Sequence, residues 1–199
     1  MAHTKRWVFW ILSLGVALVS WRFLLGGVDL TMPFMVHHLE SRSIALFAHI
    51  GLAPLVLALL PFQFSERLRQ GRPVLHRWLG RLYALGVLIS GVAGLALAFG
   101  TKAGAMATAG FAMLAILWLG VTAQAVRLAM LRRIGEHRRW MVRSAALTLS
   151  AVTLRLYLPL LAGAFGFDTG YPMVAWLCWV PNFLVAEWML GRSFRASAA

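Results

Sequence analysis

The sequence is poor in charged residues, and in acidic residues above all. Only 13% of its 199 residues are charged, and 6 Asp or Glu stand against 19 Lys or Arg. A soluble domain usually has about a quarter of its residues charged, because charge covers most of its surface. The composition therefore excludes an ordinary soluble domain.

Cysteine and the common catalytic motifs are also scarce. Cys178 is the single cysteine and lies in an apolar run, so no disulfide can form within the chain. The sequence has no Cys-x-x-Cys-His, which excludes covalently attached haem and leaves only the b type. It has no Gly-x-Ser-x-Gly, Walker or His-Glu-x-x-His pattern either.

Long apolar runs are abundant instead. Hydrophobic residues make up 61% of the chain, and runs of about twenty recur, which is the length that crosses ~30 Å of hydrocarbon as a helix. We predict an all-α, polytopic membrane bundle in a single domain, 1–199. The six predicted transmembrane helices cover 7–25, 44–62, 78–99, 106–131, 140–162 and 173–190. The core bundle, 44–190, comprises two helical hairpins plus the sixth helix.

The net charge of +13 is concentrated between alternate apolar runs. Basic residues resist translocation, so this asymmetry predicts that both termini are cytoplasmic in a multi-pass protein of a bacterial inner membrane. Because topology explains the charge, nucleic acid is not an expected partner, whereas membrane lipids are.

Two basic stretches resemble each other. His76-Arg77-Trp78-Leu79-Gly80-Arg81 and Glu136-His137-Arg138-Arg139-Trp140-Met141-Val142-Arg143 both contain histidine, arginine and tryptophan ahead of an apolar run. They indicate an internal repeat of two hairpins about an axis along the membrane normal. Selection for basic and aromatic residues at cytoplasmic helix ends is the alternative explanation.

If the hairpins are repeats, His76 and His137 occupy related positions. Imidazoles on two helices can be the axial ligands of a haem iron, with Arg77 and Arg138 neutralising the propionates. Both histidines stand at helix entrances, where a haem would be half in water. The alternative is that they are interfacial residues that bind lipid phosphate or Glu187.

A second candidate site lies toward the outer side. His49 and Arg155 are ionisable groups at similar predicted depth, with His37 and His38 above them. Placing an ionisable group in a membrane costs free energy, so each such residue is a candidate for a functional role. They are candidates to hydrogen-bond a quinone. Alternatively, Arg155 snorkels and pairs with Asp168 or a backbone carbonyl.

Other polar and small residues favour structural roles. Glu187 is predicted to form an ion pair with Arg143, since the two share one depth. Pro181 before Asn182 predicts a kink in the sixth helix. Gly86, Ser90 and Gly94, spaced four apart, form a stripe that lets a neighbouring helix approach closely.

Several motifs together resemble a known family. They are His76 to Tyr83, Glu136 to Ser144, Thr153-Leu154-Arg155-Leu156-Tyr157-Leu158-Pro159, Pro61 to Phe64 and Trp179 to Trp188. They are similar to the bacterial inner-membrane family known as domain of unknown function 2306, over roughly 45–190. The resemblance implies a helical membrane bundle without an established activity, and directs attention to His49, His76, His137, Arg155, Asn182 and Glu187. A more distant resemblance is to diheme b-type cytochromes such as the cytochrome b561 group.

The expected function is electron transfer linked to haem b or a quinone, with a quinone or a membrane redox protein as partner. Two other functions remain open. One is a non-catalytic membrane subunit or assembly factor that binds a partner through its helices. The other is a carrier of lipid or small solutes that uses a cavity at Arg155.

Overall fold

The computed structural model describes residues 2–198, and the regular structure in that range is all helical. The helices are α1 (Ala2–Ser20), α2 (Arg22–Leu25), α3 (Val28–Thr31), α4 (His37–Gln63), α5 (Glu66–Gly71), α6 (Pro73–Ala98), α7 (Gly104–Met130), α8 (Ile134–Thr148), α9 (Ser150–Phe165), α10 (Phe167–Leu177) and α11 (Val180–Ala198), with a 3₁₀ turn at Pro33–Met35.

Six helical segments of the described chain are long and apolar enough to cross a membrane. They are Arg6–Leu25, His37–Gln63, Pro73–Ala98, Gly104–Met130, Ile134–Phe165 and Phe167–Arg192. The predicted all-α fold with six transmembrane helices is therefore confirmed. The fifth segment comprises α8 and α9, and the sixth comprises α10 and most of α11.

Several predicted loops were wrong, because helices continue into polar sequence. Residues 26–43 were expected to form a loop, yet α4 begins at His37 and passes a kink at Arg42. The basic segment after Gln63 contains α5, whose first turn is capped by Ser65 Oγ, the acceptor for the Leu68 N–H at 3.3 Å. The segment 132–139 is helical from Ile134. Hydropathy marks the apolar part of a helix but misses its polar ends.

The chain divides into two compact units, Met1–Thr101 and Lys102–Ala199. In the first unit, α4 packs against both α1 and α6. In the second unit, α7 packs against α8 and α10, α9 packs against α10, and α8 packs against α11.

Close packing of α4 on α6 depends on the predicted stripe of small residues. A Cβ on Gly86 would lie 2.6 Å from Val56 Cγ2, and a Cβ on Gly94 would lie 3.0 Å from the His49 ring. Ser90, between them, is fully buried. The role of the stripe in packing is thus confirmed.

A buried polar seam joins α7 to α8. Thr122 Oγ1 and Ser144 Oγ lie 2.7 Å apart, and the indole N–H of Trp118 donates to Thr148 Oγ1 at 2.9 Å. Thr148 Oγ1 in turn donates to the Ser144 carbonyl at 2.9 Å. Hydrocarbon offers no water to these groups, so pairing them across the seam fixes the register of the two helices.

Candidate functional site

His137 is the fourth residue of α8 and is half-buried against α7. Its Nδ1 lies 2.8 Å from the carbonyl oxygen of Ala125. A carbonyl oxygen only accepts, so Nδ1 carries the proton and the neutral ring has its lone pair on Nε2. This is the tautomer that a histidine needs in order to bind iron through Nε2.

His49, on α4, is held in the same way within the first unit. Its Nδ1 lies 2.8 Å from the carbonyl oxygen of Ser90, and Ser90 Oγ lies 3.2 Å away. Gly94 leaves the space that the imidazole edge occupies. The lone pair of the neutral ring is again on Nε2. Two histidines in two helix pairs thus have their tautomer set by a backbone carbonyl.

His76 is the fourth residue of α6 and is half-buried. It precedes Trp78 by two residues, whereas His137 precedes Trp140 by three. One residue turns a helix by ~100°, so repeats aligned on their tryptophans would not superimpose the two imidazoles. The expectation that a repeat relates them is corrected accordingly, since only the tryptophans and arginines align.

Arginines stack on tryptophans at the basic ends of three helices. The guanidinium carbon of Arg81 lies 4.7 Å from the ring centre of Trp78, and that of Arg143 lies 4.9 Å from Trp140. Near the C-terminus, Arg192 lies 4.6 Å from Trp188. Arg77 and Arg138, the expected propionate partners, are exposed. Such ends suit the polar headgroup region.

Arg143 also joins α8 to α11. Its Nε and Nη2 donate to the two carboxylate oxygens of Glu187 at 2.5 and 2.9 Å. The side chains are 21% and 38% exposed, respectively. This bidentate, charge-assisted pair neutralises both groups at one depth.

Arg155 is half-buried and bends back along its own helix. Its Nη1 donates to the carbonyl oxygen of Ala151 at 2.8 Å. The remaining outer histidines, His37 and His38, have their rings 3.9 Å apart at the start of α4. His49 follows His37 by twelve residues, which is ~18 Å of helix. Within residues 2–198, no three His, Cys, Asp or Glu side chains could hold a metal ion together.

Asn182 forms hydrogen bonds at the interruption between α10 and α11. Its Nδ2 lies 2.9 Å from Thr153 Oγ1, 3.1 Å from the Cys178 carbonyl and 3.4 Å from the Ala146 carbonyl. Pro181 has no N–H to continue the ladder of backbone hydrogen bonds, so the helix breaks before it. The predicted kink is confirmed as a break at residues 178–179.

Sequence reasoning missed the contacts of two residues. Ser90 was assigned to packing alone, although its carbonyl anchors His49. Arg42 was not singled out in the sequence, although it lines a groove between α4 and α6. A lone arginine beside an apolar run was the available signal for Arg42, whereas a backbone carbonyl gives no signal in a sequence.

A family model described as "Predicted membrane protein (DUF2306)" matches residues 46–190. The match confirms the family resemblance drawn from the motifs and, with the six apolar helices, describes an integral membrane protein. No curated protein and no solved structure matches the chain. The likeness to cytochrome b561 stays a prediction.

Proposed function

We propose, starting from the fact that this chain belongs to the DUF2306 family of predicted membrane proteins, that it binds haem b in a bacterial inner membrane and passes single electrons. The observation that carries the proposal is the hydrogen bond from His137 Nδ1 to the Ala125 carbonyl. That bond fixes the ring in the tautomer of an iron ligand and restrains its orientation.

Histidines and arginines at basic helix ends are the residue types that would hold haem b and its propionates. His137 is one proposed axial ligand, and His76, a second half-buried histidine in the first turn of a helix, is proposed as the other. Arg77 and Arg138 are exposed beside them and suit the propionates. When bound, haem supplies one-electron chemistry through the ferric and ferrous states of its iron. The chain's part is to orient the imidazoles and to exclude water with its apolar helices.

His49 of the first unit and Arg155 of the second unit are each proposed as a hydrogen-bond partner of a quinone or quinol. Because His49 Nδ1 is committed to Ser90, the neutral ring accepts a hydrogen bond at Nε2 and does not donate one there. The ring therefore suits a quinol hydroxyl and can accept its proton. Oxidation of a quinol to a quinone would release two protons and two electrons, and a haem held by the chain would supply one-electron chemistry.

The visible spectrum of the purified protein tests the haem proposal. We expect a Soret band that shifts on reduction and is lost in His137→Ala and His76→Ala. His37→Ala is the matched control, because it also removes a half-buried histidine from the first turn of a helix. It should keep the band. A colourless wild-type protein with full helicity by circular dichroism would overturn the proposal.

A second candidate is a membrane subunit or assembly factor that binds a partner through its helices. The first span favours it, since only 17% of its most apolar window is buried in the chain, against 44% for Pro73–Ala98. A helix so little covered has surface for another helix. A partner chain that co-purifies at a fixed ratio, and is lost when residues 1–25 are deleted, would support this function over the first.

A further inference from the structure

A groove of about 600 Å³ opens between α4 and α6 in the first unit. Eight of its nine lining residues are apolar, and four of these are alanines: Ala45, Ala48, Ala93 and Ala96. Residues 88–96 of α6 line it over ~12 Å at 1.5 Å per residue. Both helices are candidate membrane spans, so the groove faces hydrocarbon. A trough of this length fits a stretch of acyl chain.

Arg42 is the only charged residue that lines the groove. It lies at the kink of α4, where its backbone leaves the helical region at φ −150° and ψ 41°. Its guanidinium lies against Gly100, just beyond the end of α6. A Cβ at Gly100 would stand 2.5 Å from Arg42 Nη1 and 2.7 Å from Cζ. The glycine thus leaves the space that the guanidinium occupies.

The protein provides only a weak hydrogen-bond partner for the Arg42 guanidinium. Arg42 Nη1 donates to Ser41 Oγ at 3.4 Å, a long and weak hydrogen bond. No carboxylate within residues 2–198 forms a salt bridge with Arg42, whereas Arg69, Arg133 and Arg143 each have a glutamate. An arginine at the edge of hydrocarbon needs an anion or water. The surrounding bilayer supplies an anion at that depth, the phosphate of a lipid.

We propose that this groove binds one anionic phospholipid, with the phosphate on Arg42 and an acyl chain along the alanines. Two features of the groove match the two parts of that molecule. The planar guanidinium presents paired N–H donors to phosphate oxygens. The apolar trough leads from Arg42 into the hydrocarbon. The site does not depend on haem or quinone binding.

Binding of labelled phosphatidylglycerol to the purified full-length protein in detergent micelles tests the proposal. We expect Arg42→Gln to weaken binding about tenfold, as the loss of one charge-assisted contact would. Ala48→Leu and Ala96→Leu should weaken it as well, because their side chains fill the trough. Arg22→Gln is the matched control, since Arg22 is an exposed arginine of the same unit stacked on Phe23 at 5.1 Å.

Competition experiments test the contribution of the phosphate and that of the acyl chain separately. Inorganic phosphate and glycerol phosphate lack the acyl chain, and diacylglycerol lacks the phosphate, so each should compete at least tenfold more weakly than unlabelled phosphatidylglycerol. Equal loss in Arg22→Gln and Arg42→Gln would overturn the proposal in favour of diffuse charge attraction. Full binding by Ala48→Leu and Ala96→Leu, with helicity unchanged, would overturn it too.

Discussion

The Arg143–Glu187 pair shows how a single contact neutralises charge at a membrane boundary. Both carboxylate oxygens accept from the guanidinium, which also stacks on Trp140. Arg133 and Glu136 form a pair of similar geometry, with Nε to Oε1 at 2.5 Å. That second pair lies within one turn of α8, and its side chains are 55% and 45% exposed. Contact geometry is thus alike in the two pairs, while location and burial differ.

Removing each glutamate should reveal that difference. We expect Glu187→Ala to lower the free energy of unfolding by about 1 kcal/mol, because a partly buried cation that joins two helices loses its partner. Glu136→Ala should cost about 0.5 kcal/mol or less, as exposed pairs within a helix do. Reversible unfolding in mixed detergent micelles measures both. Equal losses in the free energy of unfolding would mean that solvent screens the Glu187 ion pair as effectively as the Glu136 ion pair.

At the scale of elements, close helix approach in the first unit depends on where glycines lie. Gly86 has no space for a Cβ, since Val56 Cγ2 is 2.6 Å from that position, whereas Gly15 on α1 has nothing within 4 Å. Alanine is a better helix former than glycine by about 1 kcal/mol at either place. Only packing distinguishes the two positions.

The substitution Gly86→Ala should therefore lower the melting temperature, while Gly15→Ala should leave it unchanged or raise it. The new methyl group at residue 86 pushes α6 away from α4, and the gain in helix propensity does not compensate. Thermal unfolding in detergent followed by circular dichroism measures both. A rise in the melting temperature of the Gly86→Ala variant would show that Val56 moves aside at no cost in free energy.

The break between α10 and α11 gives a second prediction at this scale. Asn182→Leu should destabilise the protein by about 0.6 to 1.7 kcal/mol, the range for polar contacts inside membrane proteins. Pro181→Ala restores a backbone N–H and should recover part of that loss in the double variant. Unfolding free energies of the two single variants and the double variant form the measurement. Strict additivity would show that Pro181 and Asn182 act independently.

Sequence predicted the elements better than their ends or their contacts. Six apolar runs of about twenty residues identified six crossings, since only helices and closed barrels satisfy their backbone in hydrocarbon. The polar start of α4 at His37 was missed, because hydropathy ends where the apolar run ends. The ion pair between Glu187 and Arg143 was predicted because the two residues carry opposite charges at one predicted depth. The anchors of His49 and His137 are backbone carbonyls, which every residue has, so no pattern could reveal them.

At the scale of the whole molecule, the distribution of charge predicts the orientation in the membrane. Basic residues concentrate at one set of predicted ends, which predicts that both termini lie in the cytoplasm. The apolar sequences of the membrane helices do not by themselves define which end of each helix is cytoplasmic. The orientation therefore stays a prediction that labelling can test.

Cysteines introduced one at a time into a Cys178→Ala background should report the orientation. Gly71→Cys lies at the exposed end of α5, on the predicted cytoplasmic side, and Lys102→Cys lies in the short exposed loop before α7. In intact cells, a membrane-impermeant maleimide should label position 102 and spare position 71. After lysis both should react. Labelling of position 71 in intact cells would reverse the topology.

The carboxamide of Asn182 holds three polypeptide segments at one point, through Thr153, Ala146 and Cys178. The two N–H groups of the amide are shared among these three acceptors, and a twist of α11 about its own axis would disrupt the contacts together. The last helix is consequently held against rotation relative to α8 and α9, and this keeps Glu187, five residues beyond Asn182, directed toward Arg143.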